Sequence, residues 1–221
     1  RVARFAARYH HLGFKVADET MLLMTDITNS GELEYLSPER VWLETEKALK
    51  ERSPSTYIET LYKCKALTKI FPEISRVFDL ASEKDKIDGK FHTLSILNYA
   101  AKLDKDACTR FAVLFSNINL SNQSIPLNIK STDKDIEVIN SLFDRLKVPN
   151  RYRNVAINFI RYKDLYHCLE NLDPQIILDM LKSIGAFKKV ENLEKFIYCC
   201  EAEAQIIQKN KGANKVHGRG A

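Results

Sequence analysis

The chain has 221 residues, 45% hydrophobic and 29% charged, with a formal net charge of +5. That balance excludes a disordered or fibrous chain, and no stretch approaches the ~20 apolar residues of a membrane-spanning helix, so a soluble cytoplasmic protein of one or two domains is expected. Seven glycines and six prolines are few for an all-β plan built on many turns, so the expected fold class is all-α.

In chain order, RVARFAARYHHLGF reads as a helix with Val2, Phe5 and Tyr9 on one stripe, expected to be buried, and Arg1, Arg4 and Arg8 together on another. Gly13 is placed to stop it. A second helix is expected from Asp18 to about Asn29, ahead of Gly31. In LSPERVWLETEKALKER, Ser37 is expected to cap, Pro38 fits the first helical position, and Glu39 sits where the helix dipole favours an acid. Ser53-Pro54 repeats the device, and ALTKIF and PEISRVFDL supply helices on either side of Pro72. The charged stretch SEKDKIDGK is expected to be a loop and a subdomain boundary. After it come HTLSILNYAAKL, DACTRFAVLF, a polar loop SNINLSNQSIPLN, and helices in DKDIEVINSLFDRLKV, RYRNVAINFIRYKDLYHCLE, DPQIILDMLKSIGAF and ENLEKFIYCCEAEAQIIQ. Residues 211–221 lack a hydrophobic face and are expected to form a flexible tail.

The charge is segregated. Residues 1–15, 145–163 and 208–221 hold 14 of the 34 basic residues and none of the 29 acidic ones, the distribution a polyanion-binding face requires. The five cysteines are odd in number and form no CxxC pair, which argues against a disulfide framework or a zinc knuckle and for buried thiols. No glycine-rich phosphate loop, HExxH or GxSxG is present, and no DxD pair stands in a strand context, so no catalytic residue is assigned. From its residues alone the chain is a helical polyanion-binding module.

Three segments in order, RVARFAARYHHLGF, LSPERVWLETEKAL and ALTKIFPEI, resemble the neck and body of the bacterial CCA-adding enzymes, the tRNA nucleotidyltransferases. FHTLSIL and RLKVPN extend the resemblance into a C-terminal helical domain that in long members is a metal-dependent HD phosphohydrolase. The resemblance implies neck and body helices over 1–81 and an HD-like helical domain over 82–210. It further implies a C-terminal portion of a longer enzyme, whose head holds Mg²⁺ and which adds C, C and A to tRNA from CTP and ATP. Arg1 and Arg4 match the two arginines that contact ATP or CTP; one helical turn sets their guanidinium forks side by side. Glu39, Arg40 and Glu44 resemble a motif that braces the neck, with Arg40 and Glu44 spaced as an i,i+4 pair. Trp42 is expected in the core.

An HD site needs a first histidine, an adjacent His-Asp pair and a further carboxylate. His92 fits the first, but Ser116-Asn117 stands where the pair is expected. A hydroxyl and an amide do not replace imidazole and carboxylate, so no metal site and no phosphohydrolase activity are expected. The basic run Arg145, Lys147, Arg151, Arg153, Arg161 and Lys163 is expected to track an RNA backbone, with tRNA as partner. Tyr152, Phe159 and Tyr162 within it are equally compatible with core positions and stacking platforms. A noncatalytic RNA-binding module is the first alternative and an HD-type phosphohydrolase the second.

Overall fold

Local sequence signals set most of the helix ends. Gly13 adopts φ +84° and closes the first helix, α1 (Val2–Tyr9) with its 3₁₀ extension His10–Leu12, its N–H bonding the His10 carbonyl. α2 spans Asp18–Asn29, and prolines open α3 (Pro38–Leu49), α4 (Pro54–Lys63) and α6 (Pro72–Asp79), with α5 (Ala66–Ile70) between the last two. α7 (Gly89–Leu103), α8 (Ala107–Ala112), α9 (Ile129–Arg145), α10 (Asn150–Tyr166), α11 (Pro174–Ile184) and α12 (Val190–His217) complete the order. These elements come from a computed structural model that describes residues 1–79, 88–118 and 129–217. Among the described residues there is no strand, and the fold is all-α. Residues 82–87 of the expected boundary SEKDKIDGK and most of the polar loop 116–128 lie outside them, as do residues 218–221; Asp88 to Lys90 of that stretch cap and open α7, and the backbone of α12 is helical through His217.

Two local expectations are corrected. Ser37 and Ser53 occupy the cap positions of α3 and α4, but neither side chain accepts a hydrogen bond from its helix. The following proline removes one orphan donor and fixes φ, so the helix starts without a side-chain cap. The side-chain caps are aspartates: Asp88 accepts from Phe91 N–H, Asp106 from Cys108 N–H and Asp173 from Gln175 N–H. In α1 the buried face is Ala3, Ala6 and Ala7, while Val2, Phe5 and Tyr9 remain 40%, 44% and 41% exposed. Small side chains let α1 lie close against α3 and α4, close enough for Ser53 N–H to reach the Ala7 carbonyl at 3.2 Å. Phe5 stacks on Tyr9 and Tyr9 tilts against Phe14 outside that contact.

One hydrophobic core runs from Ala3 to Ile206, so helices α1 to α6 and the later helices are packed as a unit. Its centre is Phe111 on α8, whose ring meets Trp42 at 5.0 Å, Phe115 at 5.2 Å, Phe143 at 5.5 Å and Tyr152 at 6.2 Å. Trp42 is 5% exposed and also packs edge-on to Tyr152 at 4.6 Å, in the core as expected. Tyr152 and Phe159 are fully buried, which removes both as stacking platforms for bases. Cys64, Cys108, Cys199 and Cys200 are buried free thiols, and Cys168 departs from expectation by being exposed.

Candidate nucleic-acid interface

The arginine stripe of α1 faces the carboxylates at the C-terminal end of α3. Arg4 donates from Nε to Glu44 at 2.9 Å, and its Nη1 lies 3.7 Å from Glu51. Arg8, unassigned from sequence, grips Glu51 with Nε at 3.0 Å and Nη2 at 2.8 Å, the two-point geometry suited to a guanidinium. Arg4 is largely buried, its side chain 13% exposed, with Phe5 stacked 4.8 Å from its guanidinium carbon. Arg1 is exposed at the rim of a pocket of ≈300 Å³, with Arg40 and Glu44 beside it and Val41, Tyr57 and Leu61 below. The expected Arg40–Glu44 pair does not form: Glu44 turns to Arg4 and Lys47, and Arg40 and Glu39 are exposed without an ion pair among the described residues. The brace between α1 and α3 is therefore Arg4–Glu44, since across the helices the carboxylate meets a fixed, half-desolvated guanidinium rather than a solvated one on its own helix.

Burial alone raises the pKa of Glu44, but hydrogen bonding and attraction from Arg4 outweigh it and hold the carboxyl below its ordinary 4.5. Glu46 is lowered the same way, against burial, by Lys50, Tyr152 and Arg151. Carboxyls that bind protons more weakly when folded add stability above the unfolded pKa, and that stability is lost as pH falls through the folded pKa. A thermal melt series is expected to be flat from neutrality to about pH 5 and to drop below it. In Glu44→Gln the drop is smaller, and an unchanged acid limb in that variant rules out the Arg4 brace as its source.

The surroundings of His92 do not fit a metal. His92 is 2% exposed, and its Nδ1 lies 2.7 Å from the Asn117 amide nitrogen, which also donates to Thr93 Oγ1 at 3.3 Å. With the amide donating, Nδ1 accepts and the proton sits on Nε2, which has no partner, so neither nitrogen offers a lone pair. Burial first, then Lys163, holds the imidazole below its ordinary pKa against the opposing pull of Glu203 and Asn117, keeping it neutral. The nearby carboxylate, Glu203, is taken by Lys163, whose Nζ bonds it at 2.8 Å and also donates to the Ser116 carbonyl. Among the described residues no three His, Cys, Asp or Glu side chains converge as a metal would need. An ammonium inside the fold supplies the positive charge instead.

That placement corrects Lys163 as an RNA contact: its side chain is 13% exposed and committed to Glu203. The other five cations of the basic run also diverge. Arg145 donates to the Ile70 carbonyl and both Glu73 oxygens, and Arg153 to Asn140 and Asp144 while lying over the Phe143 ring. Lys147 is exposed at φ +53°, in the turn after α9. Only Arg151 and Arg161 line a common cleft, of ≈740 Å³, between α10 and the turn joining α11 to α12.

The opposite wall of that cleft carries Lys182, Lys188, Lys189 and Lys195, and Asp106 is the acid in its lining. The wall is set by Gly185, at φ +79°, where Ala186 N–H returns to the Leu181 carbonyl and Gly185 N–H to that of Lys182, ending α11 and reversing the chain into α12. A Cβ at Gly185 would stand 3.1 Å from Asn192 Nδ2, so a side chain is disfavoured by both conformation and space. Sequence reading missed these lysines. The available signal was the acid-free run Met180–Val190, with three lysines around a helix-ending glycine.

Residues 13–78 match the family described as "Probable RNA and SrmB- binding site of polymerase A". The chain is 40% identical over 209 residues to the "Multifunctional CCA protein" of Thioalkalivibrio sulfidiphilus (strain HL-EbGR7), an alignment covering 92% of this chain and 51% of that relative. The chain thus spans about half the length of the relative it matches.

Proposed function

We propose that this chain, a homologue of the CCA-adding enzymes across nearly all of its length, is the helical portion of a tRNA nucleotidyltransferase that adds C, C and A to the tRNA 3′ end from CTP and ATP. The observation that carries the reading is the 40% identity over 209 residues, an alignment that takes in 92% of this chain. In this assignment the head, which binds Mg²⁺ and positions CTP or ATP for attack by the tRNA 3′-hydroxyl, belongs to the half of the relative this chain does not match. The present residues contribute grip and positioning.

Arg1 and Arg4 face the nucleotide in this reading. Glu44 holds Arg4 through Nε, leaving Nη2 without a hydrogen bond among the described residues and fixed in direction, as positioning of a phosphate or base acceptor requires. Arg1, at the rim of the ≈300 Å³ pocket, adds a second guanidinium. Arg40 shares that rim, Glu39 stands exposed beside it in the first turn of α3, and tRNA is held by cations of the later helices, Arg151 and Arg161 among them. No helix among the described residues is long and apolar enough to cross a membrane, and a cytoplasmic site of action fits tRNA maturation.

The test is competition. An excess of this chain, added to a full-length CCA-adding enzyme with tRNA lacking its CCA end, is expected to raise the apparent KM for tRNA while leaving the KM for CTP unchanged. By itself the chain is expected to incorporate no labelled CTP. Absence of any inhibition at concentrations well above those of the enzyme and tRNA would rule out the assignment.

A further inference from the structure

We infer that the cleft between α10 and the α11–α12 turn is a seat for the phosphate backbone of double-helical RNA, with Arg161, Lys188 and Lys189 as the groups that contact phosphate. The inference rests on the tRNA reading above and assigns a surface to it.

Six cations and one acid line the cleft, and they fall into two sets. Lys195 pairs with Asp106 at 3.1 Å, Lys182 with Asp179 at 3.6 Å, and Arg151 with Glu46 at 2.8 Å, so the protein's own carboxylates hold those three in place. Arg161, Lys188 and Lys189 have no ion pair among the described residues, yet they converge on the same opening. Cations brought together without counter-charges repel one another, and an anion is the ligand that relieves it.

The shape favours a duplex backbone. Arg151, Asn154, Asn158 and Arg161 lie on one stripe of α10 and line one wall, which runs about 15 Å from end to end at the helical rise. The intervening amides donate and accept, as the 2′-hydroxyls beside each phosphate require. Proteins that hold unpaired bases stack them on exposed aromatic rings, and the one ring in this lining, Phe196, is 2% exposed. On the facing wall the Gly185 turn fixes the approach of Lys188 and Lys189 at the N-terminal end of α12, where the helix dipole is also positive. Phe187 and Val190, 68% and 67% exposed, flank these lysines, so an anionic lipid surface is the competitor the test must separate.

Binding of a CCA-less tRNA minihelix is measured by fluorescence anisotropy across a salt series for the native chain, for R161A/K188A/K189A, and for K102A/K105A/K134A, which loses the same charge elsewhere. The cleft variant is expected to bind roughly tenfold more weakly at about 100 mM salt, with a log K against log salt slope shallower by about two, and the control to bind like the native chain. A DNA hairpin of matching sequence is expected to bind more weakly than the RNA. If the native chain binds the minihelix and the cleft variant binds equally well, the seat is elsewhere and the inference falls while the tRNA reading stands. If the native chain does not bind the minihelix, that reading itself fails. Retention of the chain by phosphatidylserine vesicles that is lost in the cleft variant, with minihelix affinity unchanged, reassigns the cleft to lipid.

Discussion

Replacing Arg110 by alanine is expected to destabilise the chain by about 4 kcal/mol. Arg110 is 4% exposed on α8, yet its guanidinium meets no carboxylate directly. It donates from Nε to the Asp104 carbonyl at 2.8 Å, from Nη1 to those of Leu49 at 2.8 Å and Glu51 at 3.0 Å, and from Nη2 to that of Ala101 at 2.9 Å. Those acceptors lie at the C-terminal ends of α3 and α7, where helix carbonyls lack partners and the dipole is negative, so one buried cation caps two helices and ties the body to the later helices. Truncation leaves four carbonyls without this partner, Leu49's on a fully buried residue and the other three on half-buried ones, and each unmade bond away from water costs roughly 1 to 3 kcal/mol. Urea unfolding followed by circular dichroism reads the loss. Arg110→Lys is expected to recover only part of it, since an ammonium lacks the planar fork that spans both helices. A change below about 1 kcal/mol in the alanine variant would mean that water replaces the guanidinium and that the two parts are held by hydrophobic packing alone.

Lys163→Met is the second large effect. The substitution keeps the stem but removes the ammonium from Glu203, which is itself 4% exposed, and an unpaired buried carboxylate costs about 3 to 5 kcal/mol. His167 Nε2 lies 3.8 Å from the other Glu203 oxygen, too far to replace the ammonium's hydrogen bond. The double variant Lys163→Met/Glu203→Leu is expected to regain most of the stability, because the pair's desolvation penalty disappears with it. Thermal melts at pH 7 separate the cases: the single variant is expected to melt well below the native chain and the double variant close to it. Equal loss in the single and double variants would show that shape, not charge, fixes α10 against α12.

The helical plan was legible because its signals are local. Pro38, Pro54, Pro72 and Gly13 mark ends by fixing or freeing φ, and the structure follows them. Trp42 was placed correctly for the same reason, as an apolar residue at core spacing on a strongly marked helix. The alanine face of α1 was misjudged because periodicity ranks residues by hydrophobicity, whereas close helix approach there is decided by small size. Charged residues were harder still. Nothing local distinguishes Arg110 and Lys163, both buried, from Arg161, which is exposed, since burial depends on which carbonyl or carboxylate arrives from helices 40 or more residues away. The cleft was half visible: Arg151 and Arg161 stood out in an acid-free run, but Lys188 and Lys189 reach it only through the reversal at Gly185. The misfit of His92 to a metal site, by contrast, is readable from the chemistry of Ser116-Asn117, and what the fold adds is the His92–Asn117 contact and the Lys163–Glu203 pair.

The role we propose for the chain is to hold tRNA through its phosphates. The direct measurement is the affinity of the native chain for a CCA-less tRNA minihelix between about 50 and 200 mM salt, where log K is expected to fall linearly with log salt at a slope of at least about −2, corresponding to three or more phosphates neutralised. Absence of binding at the lowest salt, or an affinity that does not change across the range, would contradict that role.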